Sequence, residues 1–171
     1  MTRRAPARSL RAMSERMTQD APPRPGALLA RGVCRYMLSA GIAPVTEFAP
    51  EARLRADVMG VDARGRIWIV ECKSSLADFR ADAKWRGYLA WCDLFAFAAP
   101  ADFPHEALPE DEGLLIADGY GAELIRLPAP RPLPPARRKA LTLRLAMAAA
   151  RRLRAALDPG AAAFDSLSGE D

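Results

Sequence analysis

Two acids and a lysine stand close together in a stretch that otherwise reads as a buried strand. The segment RIWIVECKSS, residues 66–75, sets four apolar residues, Ile67 to Val70, ahead of Glu71 and Lys73. Charge in such a strand is costly unless it is paired or used. A second strand, LRADVMGVD at 54–62, precedes it, and Ala63, Arg64 and Gly65 join the two. A three-residue loop ending in glycine is a recognised hairpin type, with glycine in the left-handed position. If Asp62 pairs with Arg66, Asp57 falls directly opposite Glu71, where Cβ atoms are about 5 Å apart. Like charges so placed repel unless a proton or a cation lies between them. Lys73 is two residues on from Glu71 and projects from the same face.

This triplet suits metal-assisted phosphodiester chemistry. Carboxylate oxygens are the ligands Mg²⁺ prefers, and a bound metal polarises a phosphate and acidifies a water. Asp57 and Glu71 are therefore the candidate metal ligands, and the backbone carbonyl of Cys72 between Glu71 and Lys73 is a third. Lys73 is the candidate group that orients the water or stabilises developing negative charge. The expected cofactor is Mg²⁺ or Mn²⁺. The plain alternative is a strand-end ion pair in which Lys73 neutralises Asp57 or Glu71. Residues 26–40 contain no acid. Glu47, in the first strand, is thus the candidate third catalytic carboxylate, its alternative being a solvent-facing strand residue.

The elements that must hold these residues follow from periodicity and punctuation. GALLARGVCRYMLSAG, from Gly26, reads as a helix with Leu29, Val33 and Met37 on one stripe and Gly41 closing it. APVTEF at 43–48 is a short strand ahead of the hairpin. Ser75 caps a helix expected to run to about Cys92, with Asp78 completing a capping box. LFAFA at 94–98 is the next strand. GLLIA and AELIRL form a second hairpin about Asp118–Gly121. PAPRPLPP at 128–135 is expected to be a stiff linker, and 136–157 a long basic helix. The order α-β-β-β-α-β-β-β-α predicts a single α/β domain at 25–158, a mixed sheet with helices on its faces. Residues 1–24 read as a flexible basic arm and 159–171 as a disordered tail.

Composition narrows the class. Half of the 171 residues are hydrophobic, so the chain is globular. Three isolated cysteines and a single histidine, His105, match no zinc pattern and suit a reducing, cytoplasmic setting. No apolar run approaches the roughly 18 residues of a membrane span, and no secretory signal is recognisable. The net charge of +4 hides an asymmetry: residues 1–35 carry eight arginines and two acids, residues 36–123 eight basic and fifteen acidic residues, and residues 124–157 nine basic residues and no acid. Basic arms flanking an acidic middle point to phosphate binding outside and a metal inside. Solvated helix faces are the alternative. Arg137, Arg138, Lys139 and Arg144 cluster near the start of the last helix, where the dipole disfavours positive charge. They are the candidate DNA-binding group.

Asp57 followed by Glu71-x-Lys73 across a hairpin resembles the PD-(D/E)xK nuclease superfamily, whose core order α-β-β-β-α-β matches residues 26–98. Ala56 stands where the superfamily's namesake motif has proline. RADV, VECKSS, DFRADAKWRGYLAWCDLFAFA and GLLIADGYGAELIR resemble, more narrowly, the bacterial MmcB-like DNA-repair proteins, over roughly three quarters of the chain. The resemblance implies a restriction-endonuclease-like fold and a role in DNA repair, with DNA and other repair proteins as partners and a nucleoid-associated location. Lys84 and Tyr88, one helical turn apart, resemble the Gln-x-x-x-Tyr element that some relatives place beside the active site, with lysine in place of glutamine. They join the DNA-binding candidates. A non-catalytic recruiting module that retains the fold is the rival reading.

Overall fold

The computed structural model describes residues 24–161. The basic arm before Arg24 and the tail after Ala161 lie outside the described residues. Helix α1 (Pro25–Ser39) opens the domain. Proline at its first position suits a helix start, since the missing N–H has no intrahelical partner there. It is followed by β1 (Ile42–Glu51), β2 (Leu54–Asp62) and β3 (Ile67–Cys72). Two short helices, α2 (Leu76–Ala81) and α3 (Trp85–Tyr88), lead to β4 (Leu94–Ala99). A 3₁₀ turn (His105–Ala107), β5 (Gly113–Ala117) and β6 (Ala122–Arg126) complete the sheet, and α4 (Pro135–Leu157) closes the domain. The six strands lie in sequence order in one sheet. β3, β4 and β5 are parallel neighbours, and the remaining pairs are antiparallel. This is the mixed α/β sheet the element order predicts, and from α1 to β4 it follows the α-β-β-β-α-β order with the second helical step split into α2 and α3.

Each face of the sheet carries its own core. Leu29, Val33 and Met37, the stripe read from the sequence, pack against Val58, Val70 and Ala96 on one face. On the other, Trp85, Tyr88, Leu141 and Leu145 cover Ile69, Phe95 and Phe97. Trp85 stacks on Phe95 with ring centres 5.8 Å apart. Continuous burial along β3 and β4 follows from helices on both faces.

Two expectations need correction. The helix after Ser75 does not run to Cys92. It breaks at Asp82, whose backbone turns extended (ψ 95°). The Asp82 carboxylate then accepts from the backbone N–H of Lys84 and from Lys73. A side chain that offers the backbone such a local partner competes with helical hydrogen bonding. The proline-rich segment is also no spacer. Leu133 is buried in the core, Arg131 makes a two-pronged ion pair with Glu112, and the N–H of Arg131 donates to the Asp93 carbonyl.

Candidate active site

The hairpin has the register that its loop demands. Gly65 takes the left-handed conformation (φ 73°), and Val58–Val70, Met59–Ile69, Gly60–Trp68 and Val61–Ile67 pair across it. Extending that register by one residue sets Asp57 opposite Glu71. There the backbone ladder gives way to the carboxylates themselves. The N–H of Asp57 donates to Glu71 Oε1 at 3.2 Å, and the N–H of Cys72 donates to Asp57 Oδ2 at 2.8 Å. Each acid is seated on the other strand's backbone, so neither can swing away without freeing a buried donor.

Glu71 is only 5% exposed and Lys73 only 4%. Burial and the adjacent Asp57 charge raise the Glu71 pKa to about 8. Burial raises Asp57 as well, against the pull of the Cys72 N–H and the Lys73 charge. Lys73 Nζ lies 3.6 Å from Glu71 Oε2 and 2.5 Å from Asp82 Oδ2. Burial alone would pull this lysine down, but its hydrogen bond to Asp82 and the Glu71 charge outweigh that and hold its pKa above the ordinary value. The lysine is therefore charged and fixed.

Glu47 joins the same row. It falls between the pairs Thr46–Val58 and Phe48–Ala56, opposite Asp57, so three carboxylates cross three adjacent strands at one level. Its φ is 50°, a conformation that costs a non-glycine residue and persists only where its surroundings hold it. Arg55 holds its carboxylate at 2.8 Å. Glu47, Asp57, Glu71, the Cys72 backbone and Lys73 line one cleft of about 500 Å³, roofed by the start of α1 at Arg24–Ala27. Cys72 itself packs with Leu29 and Val33 on the α1 side, and burial holds its thiol well above its usual range, so only its backbone faces the site.

The site fits a hard cation in its donors. The half-buried Asp57 and the buried Glu71 repel across the hairpin, and among the described residues no bond occupies Asp57 Oδ1. Among the described residues no three His, Cys, Asp or Glu side chains form a metal-binding group. Mg²⁺ commonly needs only one or two carboxylates and keeps several waters.

The other candidates are dispersed. Lys84 precedes α3 and is exposed, whereas Tyr88 is buried and its hydroxyl donates to the Arg55 carbonyl at 2.8 Å. Neither residue lines the cleft, though Tyr88 lies close enough for the charges of Glu71, Asp57 and Asp82 to act with burial in raising its pKa. Arg138 is a correction to the phosphate-binding group. It grips the buried Asp93 with both terminal nitrogens, at 2.5 and 2.7 Å, and donates to the Gly65 and Leu133 carbonyls. Asp93 also accepts from the N–H groups of Ile67 and Leu133, so the pair clamps α4 to the sheet. Arg137 donates to the Ala90 carbonyl and lies over Trp91. Arg144 donates to the Ala49 and Pro50 carbonyls. Of the four, Lys139 is exposed and has no such anchor among the described residues. The residue that sequence reasoning missed is Asp82. The only signal for it was its i+9 distance from Lys73, which a continuous helix would not have brought back to the strand.

The chain belongs to the family of MmcB-like DNA-repair proteins, whose model matches residues 14–160. A solved protein of unknown function from Silicibacter pomeroyi is 52% identical, covering 81% of this chain and 95% of its own, with a TM-score of 0.79. A repair endonuclease from Pyrococcus abyssi is 20% identical over 68% of this chain and 49% of its own, with a TM-score of 0.36. No curated protein matches. Among the described residues no helix is long and apolar enough to cross a membrane.

Proposed function

We propose that this protein is a divalent-metal-dependent deoxyribonuclease of DNA repair. The observation that carries this reading is the facing pair of acids, half-buried Asp57 and buried Glu71, with Lys73 3.6 Å from Glu71 in an open cleft. Asp57, Glu71 and the Cys72 carbonyl would hold Mg²⁺ or Mn²⁺, which when bound supplies Lewis acidity to the phosphate and its attacking water. Lys73 is placed to stabilise the charge that grows on the phosphate oxygens, and Asp82 keeps it there. Glu47 extends the acidic row and offers a base or an outer-sphere ligand. Lys139 and Lys84, both exposed, are available to contact the DNA backbone without reading sequence.

A second reading has its own observation. Asp57 and Glu71 each already accept a backbone N–H, as structural carboxylates sharing one proton would. The protein would then be a DNA-binding or recruiting module that keeps the nuclease fold. Cleavage of a panel of plain and branched DNAs in Mg²⁺ or Mn²⁺ against EDTA separates the two. Metal-dependent cutting that Glu71→Gln abolishes supports the nuclease. No cutting by a protein that binds the same DNAs replaces it with the module.

A further inference from the structure

A slot opens beside the acidic cleft and shares Pro25 and Ser74 with it. Leu28 and Leu29 of α1, Pro100 after β4 and Ala117 at the end of β5 make it apolar. Its volume is about 240 Å³. That is below the roughly 300–1,000 Å³ of sites that take drug-sized ligands, so it suits a single ring system. It sits at the carboxyl ends of β3, β4 and β5, the end at which open α/β sheets present ligands.

The far wall is the β5–β6 turn, and it is held rigidly against α1. A Cβ on Gly32 would overlap the carbonyl oxygens of Asp118 and Gly121, so glycine is what admits the turn this close. Arg31 Nε donates to the Gly119 carbonyl at 2.6 Å, and Arg35 donates to the Tyr120 carbonyl at 2.9 Å. The slot is therefore formed in advance of any ligand. Tyr120, at the tip of the turn, is 78% exposed, with the Arg31 guanidinium 5.8 Å from its ring centre. Arg24 lines the acidic cleft, Arg31 stands two helical turns along α1, and Arg35 one turn further. At about 1.5 Å per residue these charges are about 10 and about 6 Å apart along the helix. Arg31 and Arg35 each have most of a guanidinium's five donors left for a ligand.

We propose that the slot and its rim bind unpaired nucleotides of single-stranded DNA, one base entering the slot, a neighbour stacking on Tyr120, and the backbone following the arginine row. An apolar recess, an exposed aromatic face and flanking cations are the chemistry that recognises single strands without reading sequence. A duplex keeps its bases stacked and would have to unpair to fill the slot. The substrate class is therefore DNA with a single-stranded stretch at the cleft, such as a flap, a gap edge or a frayed end. Only the last step, that the strand so held is the one cut, rests on the nuclease reading.

Fluorescence anisotropy with a labelled oligothymidylate, run in EDTA on the full chain, tests the binding without metal or cleavage. The wild type should bind the single strand more tightly than a blunt duplex of equal length. Tyr120→Ala should weaken single-strand binding about ten-fold or more, as loss of one base–aromatic stack does, and Leu28→Gln should weaken it as well. Neither should change duplex binding. The proposal is overturned if the blunt duplex binds as tightly as the single strand, or if both variants bind the single strand like the wild type. Because the assay needs no cleavage, a protein that binds as described but cuts nothing refutes the nuclease alone. One that cuts blunt duplex while both variants bind like wild type refutes this inference alone.

Discussion

Lys73 Nζ is held between two acids, 2.5 Å from Asp82 and 3.6 Å from Glu71. Asp82 comes from a helix break nine residues on, so a distant backbone irregularity fixes the position of the candidate catalytic lysine. Lys73→Ala should leave Mg²⁺ and DNA binding in place and lower the cleavage rate by about 10²–10³-fold, the loss typical of one electrostatic contact to the transition state. Asp82→Asn should lower kcat while leaving Kd for DNA unchanged, and should add little on top of Lys73→Ala, because Asp82 acts through the lysine. Single-turnover kinetics on the four members of this cycle checks both. Equal rates for Lys73→Ala and wild type would remove the lysine from the mechanism.

The raised pKa of Glu71 has a pH signature. Its ordinary value is 4.5 and its value in the fold is about 8. Between these limits the folded state holds more protons than the unfolded chain. Metal-free stability should therefore fall as pH rises from about 5 to 8. Glu71→Gln should flatten that slope in denaturation curves. A metal ligand must be deprotonated, so Mg²⁺ binding at pH 7 should release about one proton. Titration calorimetry in buffers of different ionisation enthalpy measures it, and Glu71→Gln should abolish the release.

Arg138 and Lys139 should separate cleanly. Arg138→Ala leaves Asp93 buried without its cation, and breaking such a pair costs about 3 kcal/mol or more. Its effect should appear in urea midpoints. Lys139→Ala should leave stability within about 0.5 kcal/mol and reduce the salt slope of DNA binding by about one unit. A reversed pattern would restore Arg138 as a phosphate ligand.

Glu47 should show a conflict between stability and use. Its φ of 50° suits glycine, and a non-glycine residue held there costs about 1–2 kcal/mol. The ion pair with Arg55 is exposed on both sides and contributes little. Glu47→Gly should therefore raise the melting temperature while lowering metal-dependent cleavage. A rise in stability with unchanged cleavage would mark Glu47 as a bystander.

Much of the site was legible because local rules were strong. Gly65 in a three-residue loop sets the hairpin register, and a period of two then carries Glu71 and Lys73 to one face. No distant contact is needed to place Asp57 opposite Glu71. The stripe Leu29–Val33–Met37 was likewise readable, because helical spacing and apolar type agree, and it packs on the sheet as spaced.

Where reading failed, the deciding partner was remote in sequence. The apolar pattern of 76–92 suits one helix, and the break comes where the Asp82 carboxylate takes both the Lys84 N–H and Lys73. The arginines of α4 look alike as charges. Arg138 differs from Lys139 because the fold delivers Asp93 beneath it, 45 residues away in sequence. The slot beside the cleft has no signature at all, since its walls come from α1 and from the ends of β4 and β5. Residue types, local spacing and register, by themselves, determined the order of most elements and the facing carboxylates, because those depend on periodicity and on one short hairpin loop, and the family showed in longer strings of sequence that resemble it. The tertiary structure alone decided which cations face solvent, what holds the lysine, and where a nucleotide could rest, because each depends on side chains that only folding brings within a few ångströms.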